Sequence, residues 1–288
     1  MEPELIELIA DYACVVGEGP LWHPLEQRLY WTDINTGRLF RYEPASGKSE
    51  QCYAGEPVGG FTVQADGALL LFMARGAIKA WREGQLTTVV EEIPEERDTR
   101  FNDVIADPRG RVFCGTMPEG KRLGNLYRLD LDGSLTKVLE GINVSNGLGF
   151  TPDRRRMYYT ESRVHTIYLF DYDEATGVIS NRRLFAQTPP EEGVPDGMTV
   201  DAEGHVWSAR WDGSRLVRYR PDGVVERQIA FPARKVSSVT FGGPNYRDIY
   251  VTTAGGDQKA AEGEHAGALF RLRLGIQGVP EFTSRIKL

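Results

Sequence analysis

The feature that most constrains the fold of this chain is a unit of strands and turns that recurs six times. Each unit contains an aromatic or β-branched strand, a polar or glycine-bearing turn and a second, alternating strand, as in the stretch HVWSARWDGSRLVRYRP. The equivalent positions in the six units are Tyr30, Leu70, Phe113, Tyr158, Trp207 and Tyr250, which are 40, 43, 45, 49 and 43 residues apart. A period in the forties with four strands per unit is typical of propeller blades. We therefore predict an all-β fold, a six-bladed β-propeller with four-stranded antiparallel blades around a central channel.

The same repeat argues for one domain that spans residues 1–288. A large β-sandwich and a pair of β domains are the alternatives, but neither explains six regular units without a break in composition. A propeller must close its ring, because an unpaired edge strand invites aggregation. We expect Leu5–Asp11 to supply the outer strand of the last blade, with Phe282–Leu288 as the competing candidate.

Charge and composition exclude several classes of partner. The net charge of −7 argues against a general nucleic-acid binder, which would normally present a basic face. The N-terminal MEPELIELIAD lacks the apolar core of a signal peptide, and no apolar run approaches the roughly 20 residues that a membrane-spanning helix needs. Three widely spaced cysteines fit a reducing compartment. We expect a cytoplasmic monomer without nucleic-acid or membrane partners.

One position recurs around the predicted channel. When the turns after the first strand of each unit are aligned, the residues six places earlier are Glu18, Gly59, Asn102, Asn146, Asp196 and Ser237. The innermost strand of each blade lines the channel, so these positions converge at one depth. Four of the six carry carboxylate or carboxamide oxygens, which suit Ca²⁺, Mg²⁺ or Mn²⁺ better than soft metals. The pattern predicts a ring of oxygen ligands; the alternative is that the Gly-Asn and Asp-Gly pairs are simply turns.

Several motifs follow one another in a specific order along the chain. They are GEGPLW at 17–22, RFND at 100–103, GTM at 115–117, SNGLGF at 145–150, VPDGMTVDAEGHVW at 194–207 and FGGPN at 241–245. At these residues the chain resembles the regucalcin (senescence marker protein) and gluconolactonase family, which also includes xylonolactonases and a luciferin-regenerating enzyme. The motifs run from near the N-terminus to the last unit, so the resemblance covers essentially the whole chain.

The resemblance implies one divalent metal ion near the top of the channel, with Glu18, Asn146 and Asp196 as its protein ligands. Asn102 would lie close by, on the metal or on a water bound to it. Arg100 and Asn102 would contact the hydroxyls of a sugar lactone. Calcium is the first expectation for the ion, and zinc, manganese, magnesium and iron are the alternatives.

One segment departs from the family pattern. In regucalcin-like members a glutamate shortly after the GTM motif also touches the substrate. Here Glu119 stands one residue earlier than in that pattern, and the loop that follows, Lys121–Gly124, is short. Glu119 is therefore a candidate substrate contact in a segment where substrate specificity is expected to differ from that of the animal members.

Together these residues predict an enzyme that opens sugar-derived lactones of the gluconolactone or xylonolactone type to aldonic acids. The metal would polarise the lactone carbonyl, and Asp196 would act as the general base that activates water, with Glu18 as the alternative base. A nucleophilic triad is disfavoured, because the chain has four histidines and no serine in a GxSxG elbow. Two other functions stay open: a propeller esterase or organophosphate hydrolase, and a noncatalytic calcium-binding propeller.

Overall fold

The computed structural model describes residues 6–288, which form six four-stranded antiparallel sheets. Each sheet is one blade, and the six blades surround a central channel as a six-bladed β-propeller. The predicted fold class is confirmed. The six repeated positions counted in the sequence all lie on the second strand of their blades.

Twenty-four strands are described, numbered here in chain order. The first three blades are β2 Gly17–His23, β3 Arg28–Asp33, β4 Arg38–Glu43 and β5 Lys48–Ala54; β6 Val58–Val63, β7 Leu69–Met73, β8 Ile78–Arg82 and β9 Gln85–Val90; and β10 Phe101–Ala106, β11 Val112–Thr116, β12 Gly124–Leu129 and β13 Leu135–Ile142. The last three blades are β14 Ser145–Phe150, β15 Arg156–Glu161, β16 Thr166–Tyr172 and β17 Ile179–Gln187; β18 Val194–Val200, β19 Val206–Trp211, β20 Arg215–Tyr219 and β21 Val225–Ala230; and β22 Lys235–Gly242, β23 Asp248–Ala254, β24 Ala268–Leu272 and β1 Glu7–Asp11.

The sixth blade joins the two ends of the chain. β1 pairs antiparallel with β24, so a strand from the N-terminus is the outer strand of a blade whose other three strands come from the C-terminal part. Leu5, the first residue of the segment that we expected to close the ring, lies outside the described residues. At the channel, the Ser237 hydroxyl of β22 donates to the Gly17 carbonyl of β2, which ties the sixth blade to the first.

The hydrophobic core consists of six clusters, and each cluster lies between two neighbouring blades. Trp207 of the fifth blade, for example, packs edge-on against Phe241 of the sixth, with ring centroids 6.0 Å apart. The cluster between the sixth blade and the first contains Trp22, Trp31 and Tyr250. Because no blade can bury both faces alone, closing the ring is what removes these side chains from water.

The last residues of the chain cross the lower end of the channel, where the inner strands end. The main chain of Ser284 pairs with that of Val63 and Gln64, and Gly278 forms a bridge with Asp201. Glu281 and Phe282 from this segment, residues 277–288, line the narrow lower channel. The tail thus closes the lower end and leaves the upper end, where the inner strands begin, for a binding site.

Within residues 6–288, no helix has the length and apolar character that crossing a membrane requires. The helical segments that are described there are 3₁₀ turns of three residues each.

Candidate functional site

All six inner strands carry an irregularity in strand pairing at the same level of the channel. The register shifts lie between Glu18 and Leu21, Val58 and Gly60, Phe101 and Val104, Asn146 and Leu148, Pro195 and Met198, and Val236 and Ser238. A β-bulge leaves residues of the bulged strand unpaired and re-aims their side chains. Because the bulge recurs in every blade, all six inner strands present the residues beside it to the axis at one depth, and Gly59 is the ring position without a side chain.

Glycines beside these bulges let the inner strands approach one another closely. A Cβ atom on Gly147 would lie 2.6 Å from the carbonyl oxygen of Asp196, and one on Gly197 would lie 2.8 Å from the Cα of Ser238. These contacts are too short for any other residue unless the neighbouring strand moves. The ring of site residues is therefore held at a diameter that depends on glycine.

An open cavity of about 480 Å³ lies at the upper end of the channel. Its lining includes the ring residues Glu18, Asn102, Asn146 and Asp196 together with Arg100. The rest of the wall is formed by Val16, Ile34, Asn35, Met117, Val144, Ser162, Arg163, Val194, Trp211 and Asp212. The four ring residues come from four different blades, and each is only 4–6 % exposed. The structure thus brings together five of the six side chains that the sequence singled out.

A chain of hydrogen bonds fixes the two ring amides. Arg100 Nη1 donates to Asn102 Oδ1 at 2.7 Å, and Asn102 Nδ2 donates to Asn146 Oδ1. Asn146 Nδ2 in turn donates to Ser162 Oγ at 2.7 Å, and Ser162 Oγ donates to the carbonyl of Pro195 at 2.7 Å. Since Pro195 precedes Asp196, this chain links Arg100 to the strand that carries the last ring carboxylate.

Three carboxyl groups share the buried floor of the site. Burial, followed by the neighbouring carboxylates of Asp196 and Asp103, raises the pKa of Glu18 well above its usual value. Burial and the Asp103 carboxylate likewise raise the pKa of Asp196, and burial raises the pKa of Asp103 to about 7. Burial lowers the pKa of Arg100, although all three carboxylates oppose that effect. One guanidinium therefore faces two buried carboxyl groups and a half-buried one, and the floor carries excess negative charge whenever all three are ionised.

Asp103 is a site residue that the sequence reasoning missed. It lines the channel just below the ring, next to Asn102 in β10. The sequence held a signal for it: the position after the ring residue is Gly19, Gly60, Gly147 or Gly197 in four blades, and only Asp103 brings a carboxylate there. Ser162, which orients Asn146, lies in the turn after β15. The alignment of repeats compared only the first strand of each unit, so it did not include this position.

Glu119 lies apart from the cavity. Its side chain is exposed, its main chain pairs with Arg122 in a tight loop, and Met117 rather than Glu119 lines the wall. Its proposed contact with substrate stays a prediction. His23 at the end of β2 is buried, and its Nε2 lies 3.0 Å from the Gly67 carbonyl oxygen, away from the cavity lining.

The donor set of the ring fits a hard divalent cation. Two carboxylates, a third carboxylate below them and amide oxygens are the ligand types that Ca²⁺, Mg²⁺ and Mn²⁺ prefer. A cation among buried acids would also offset the mutual repulsion that raises their pKa values. Glu18, Asn146 and Asp196 are thus the residues that could hold it, with Asn102 beside them.

A second acidic group lies near the lower end of the channel. In the described part of the chain, ligand atoms of Asp201, Glu203 and His205 lie within 4.8 Å of one another. Both Asp201 oxygens are already engaged, one with the main-chain N–H groups of Glu203 and His205, the other with Arg218 and Trp207. This arrangement is that of a turn stabilised by a buried ion pair, and we do not assign an ion to it.

Comparison with known proteins shows similarity over nearly the whole chain. Residues 16–255 match the family model described as the SMP-30/gluconolactonase/LRE-like region. The chain is 48 % identical over 287 residues to the pentonolactonase XacC of Haloferax volcanii, an alignment that covers 97 % of this chain and 98 % of that protein. It is 34 % identical to regucalcin of Gallus gallus, covering 96 % of this chain and 97 % of the relative.

A solved structure gives the same result for the fold. Regucalcin of Agrobacterium tumefaciens strain C58, described as a calcium-binding protein, superimposes with a TM-score of 0.90 at 25 % identity. The superposition covers 99 % of this chain and 98 % of that one.

Proposed function

Because the chain belongs to the SMP-30/gluconolactonase/LRE-like family, we propose that it is a metal-dependent lactonase that hydrolyses sugar-derived lactones to aldonic acids. The observation that carries the proposal is the convergence of Glu18, Asn146 and Asp196, from three blades, on the floor of one open cavity. The name of the Haloferax volcanii relative, a pentonolactonase, supports five-carbon lactones as the first substrates to test.

In this proposal Glu18, Asn146 and Asp196 hold one divalent cation. Calcium is our first assignment, supported by the description of the Agrobacterium relative as calcium-binding, with zinc, manganese, magnesium and iron as alternatives. When bound, such an ion supplies positive charge that polarises the lactone carbonyl and stabilises negative charge on its oxygen.

The chain's own residues orient the substrate and move the proton. Arg100 is held in place by its hydrogen bonds to Asn102 and to the Phe101 carbonyl, and its remaining donors can bind lactone hydroxyls. Asn102 contributes to the same contact. Glu119 is exposed and outside the cavity lining, so it would reach the substrate only if its loop closed over the cavity.

Asp196 is the proposed general base, with Glu18 as the alternative. As water forms its bond to the carbonyl carbon, the carboxylate accepts the proton that the water loses. The bond between that carbon and the ring oxygen then breaks, and the departing oxygen takes that proton back from the Asp196 carboxylic acid to become a hydroxyl. The product is an open-chain aldonic acid, whose carboxylate faces Arg100.

The cavity above the ring favours catalysis over a purely structural calcium site. A noncatalytic calcium-binding propeller would be expected to saturate its ion with protein ligands and to leave no room above it. Here about 480 Å³ lies open above the four ring residues. That volume is within the range of small-molecule sites.

The proposal is tested by an assay across five- and six-carbon aldonolactones, with a phosphotriester as the comparison substrate. Hydrolysis above the spontaneous rate should disappear with a chelator and return with one divalent ion. Asp196→Ala should lower kcat/KM by at least about a hundredfold, the range for loss of a general base. Full activity of Asp196→Ala at saturating metal would refute the mechanism, and a preference for the phosphotriester would reassign the enzyme to organophosphate hydrolysis.

A further inference from the structure

One guanidinium at the cavity wall has no partner among residues 6–288. Arg163 lies in the 3₁₀ turn Ser162–Val164 that follows β15, and it lines the upper cavity. Its side chain is exposed, and within residues 6–288 it makes no hydrogen bond, ion pair or ring contact. An arginine fixed by its backbone at the mouth of a cavity, with its five donors free, is ready to bind an acceptor that comes from outside.

The other cations around the cavity are already committed. Arg100 binds Asn102 and faces the buried acids, and Lys235 pairs with Asp212 at 2.9 Å and with Glu262 at 2.6 Å. Arg210, behind the site, is fully buried and donates to Ser208 and Tyr219. Arg163 is the exception among these basic side chains.

The balance of charge in the cavity also indicates that Arg163 is available to bind an anionic group. With one divalent ion in the proposed site, the charges of Glu18 and Asp196 are neutralised, and Asp103 faces Arg100. Asp212 and Glu262 are neutralised by Arg234 and Lys235. Among the described residues, no carboxylate then pairs with Arg163 at the mouth. The chain as a whole carries −7, so this positive region is local to the cavity and is not a property of the general surface.

The position of Arg163 relative to the ring determines which part of a bound substrate its guanidinium can contact. Its neighbour Ser162 holds Asn146, so the turn begins at the level of the proposed ion, and the guanidinium reaches the solvent-exposed wall. A lactone whose carbonyl lies at the ring would direct its other end towards this wall. Charge-assisted hydrogen bonds from a guanidinium to phosphate, sulfonate or carboxylate are among the strongest available to a side chain.

We propose that Arg163 is a specificity-determining residue that binds an anionic group at the end of the lactone away from the reacting carbonyl. Resting on the proposed lactonase function, this inference names the substrate class: the enzyme accepts acidic sugar lactones, with a phosphate, sulfonate or carboxylate at the distal carbon, in preference to the neutral lactone of the same length.

The test compares gluconolactone with 6-phosphogluconolactone in the metal-loaded wild type and in Arg163→Gln. The wild type should favour the phosphorylated lactone in kcat/KM by about tenfold or more, the scale of a charged hydrogen bond. Arg163→Gln should reduce that ratio to near one. Arg154→Gln, which removes an exposed arginine near the lower end of the channel, is the matched control and should leave the ratio as it is.

A binding measurement keeps the inference separate from the activity. Calorimetry with 6-phosphogluconate and gluconate, which do not react, should show tighter binding of the phosphorylated acid to the wild type and equal binding of the two to Arg163→Gln. Hydrolysis of gluconolactone with no preference for the phosphorylated lactone would overturn the inference and leave the proposed function intact. Equal losses on both lactones in Arg163→Gln would also overturn it, because they would indicate a contact with a neutral hydroxyl. If neither six-carbon lactone were hydrolysed, the assay on five-carbon aldonolactones would decide the proposed function. Equal binding of 6-phosphogluconate and gluconate to the wild type would then overturn the role of Arg163.

Discussion

At the scale of single residues, Asp103 adds a third negative charge to a site that already holds the carboxylates of Glu18 and Asp196. It lies below the ring, it raises the pKa values of Glu18 and Asp196, and the cation that faces it is Arg100. A carboxylate in that position repels the other two when the site holds no cation, and attracts a cation when one binds.

Asp103→Asn should therefore have opposite effects on the two forms of the protein. Removing one of three clustered negative charges should stabilise the metal-free protein by on the order of 1 kcal/mol. It should also weaken divalent-cation binding by on the order of tenfold. Thermal denaturation in a chelator and calorimetric titration with calcium measure the two effects. A variant that was destabilised without metal and bound calcium as tightly as the wild type would show that Asp103 acts only through packing.

The ring residues could be predicted from the sequence, because equivalent positions of a repeat are equivalent places in a closed ring. Glu18, Asn102, Asn146 and Asp196 all line one cavity, as the alignment of repeats indicated. Asp103 was overlooked because the alignment compared one position per blade, and a regular strand would direct the next residue away from the channel.

At the scale of the strand, the bulges decide which residues reach the axis. The strands themselves can be predicted from the sequence, because alternating apolar residues and turn residues mark them. The bulges cannot be predicted in this way, because a bulge adds one residue without changing the hydrophobic pattern that surrounds it. Which two adjacent residues face the channel is therefore information that only the structure provides.

Gly147→Ala tests how far the site depends on the close approach of β14 and β18. The new methyl group would meet the main-chain oxygen of Asp196 at 2.6 Å and the main-chain nitrogen of Met198 at 2.9 Å, so β18 must move. We expect a loss of stability of about 1–3 kcal/mol, the usual cost of overpacking, together with weaker cation binding. Chemical denaturation and calcium titration measure the two losses.

Gly149→Ala in the same strand is the matched control. Its methyl group would meet the side chain of Val200 at 2.8 Å and that of Met198 at 3.6 Å, and side chains can adjust at less cost than main chain. Calcium affinity should stay close to that of the wild type. If the two variants lost affinity equally, the ring would not depend on the contact between Gly147 and the Asp196 main chain.

At the scale of the whole molecule, the tail that closes the lower channel introduces a pH dependence of stability. Glu281 lies in the channel with Thr199 Oγ1 donating to it at 3.2 Å, and burial raises its pKa to about 7. The pKa of this carboxyl is higher in the folded than in the unfolded chain. Its contribution to stability is therefore complete only when the pH is below the pKa that the group has in the unfolded chain. That contribution is lost as the pH rises through about 7.

The wild type should accordingly lose on the order of 2 kcal/mol between pH 5 and pH 8 from this group. Glu281→Gln, which stays neutral, should remove most of that loss. Denaturation by urea at the two pH values gives the comparison. Equal pH dependence in the two proteins would mean that Glu281 is solvated in the folded state.

The number of blades could be predicted, because a period in the forties over 288 residues fits six units. The path of the C-terminal tail could not. The sequence offered Phe282–Leu288 as a candidate outer strand, but β1 occupies that place, and no motif indicates that the tail crosses the lower channel instead. The same holds for Arg163, whose location at the cavity mouth follows from the turn after β15.

Glu18, Asn146 and Asp196 are proposed to bind one common cation, on which the lactonase mechanism depends. Equilibrium dialysis against calcium, followed by elemental analysis, measures this directly for the wild type, Glu18→Gln, Asp196→Asn and, as a control from the other acidic group, Glu203→Gln. Circular dichroism confirms that each variant is folded. We predict one ion per chain for the wild type and Glu203→Gln, and loss of the ion in Glu18→Gln and Asp196→Asn. An ion retained by both ring variants and lost from Glu203→Gln would contradict the assignment and move the metal to the lower end of the channel.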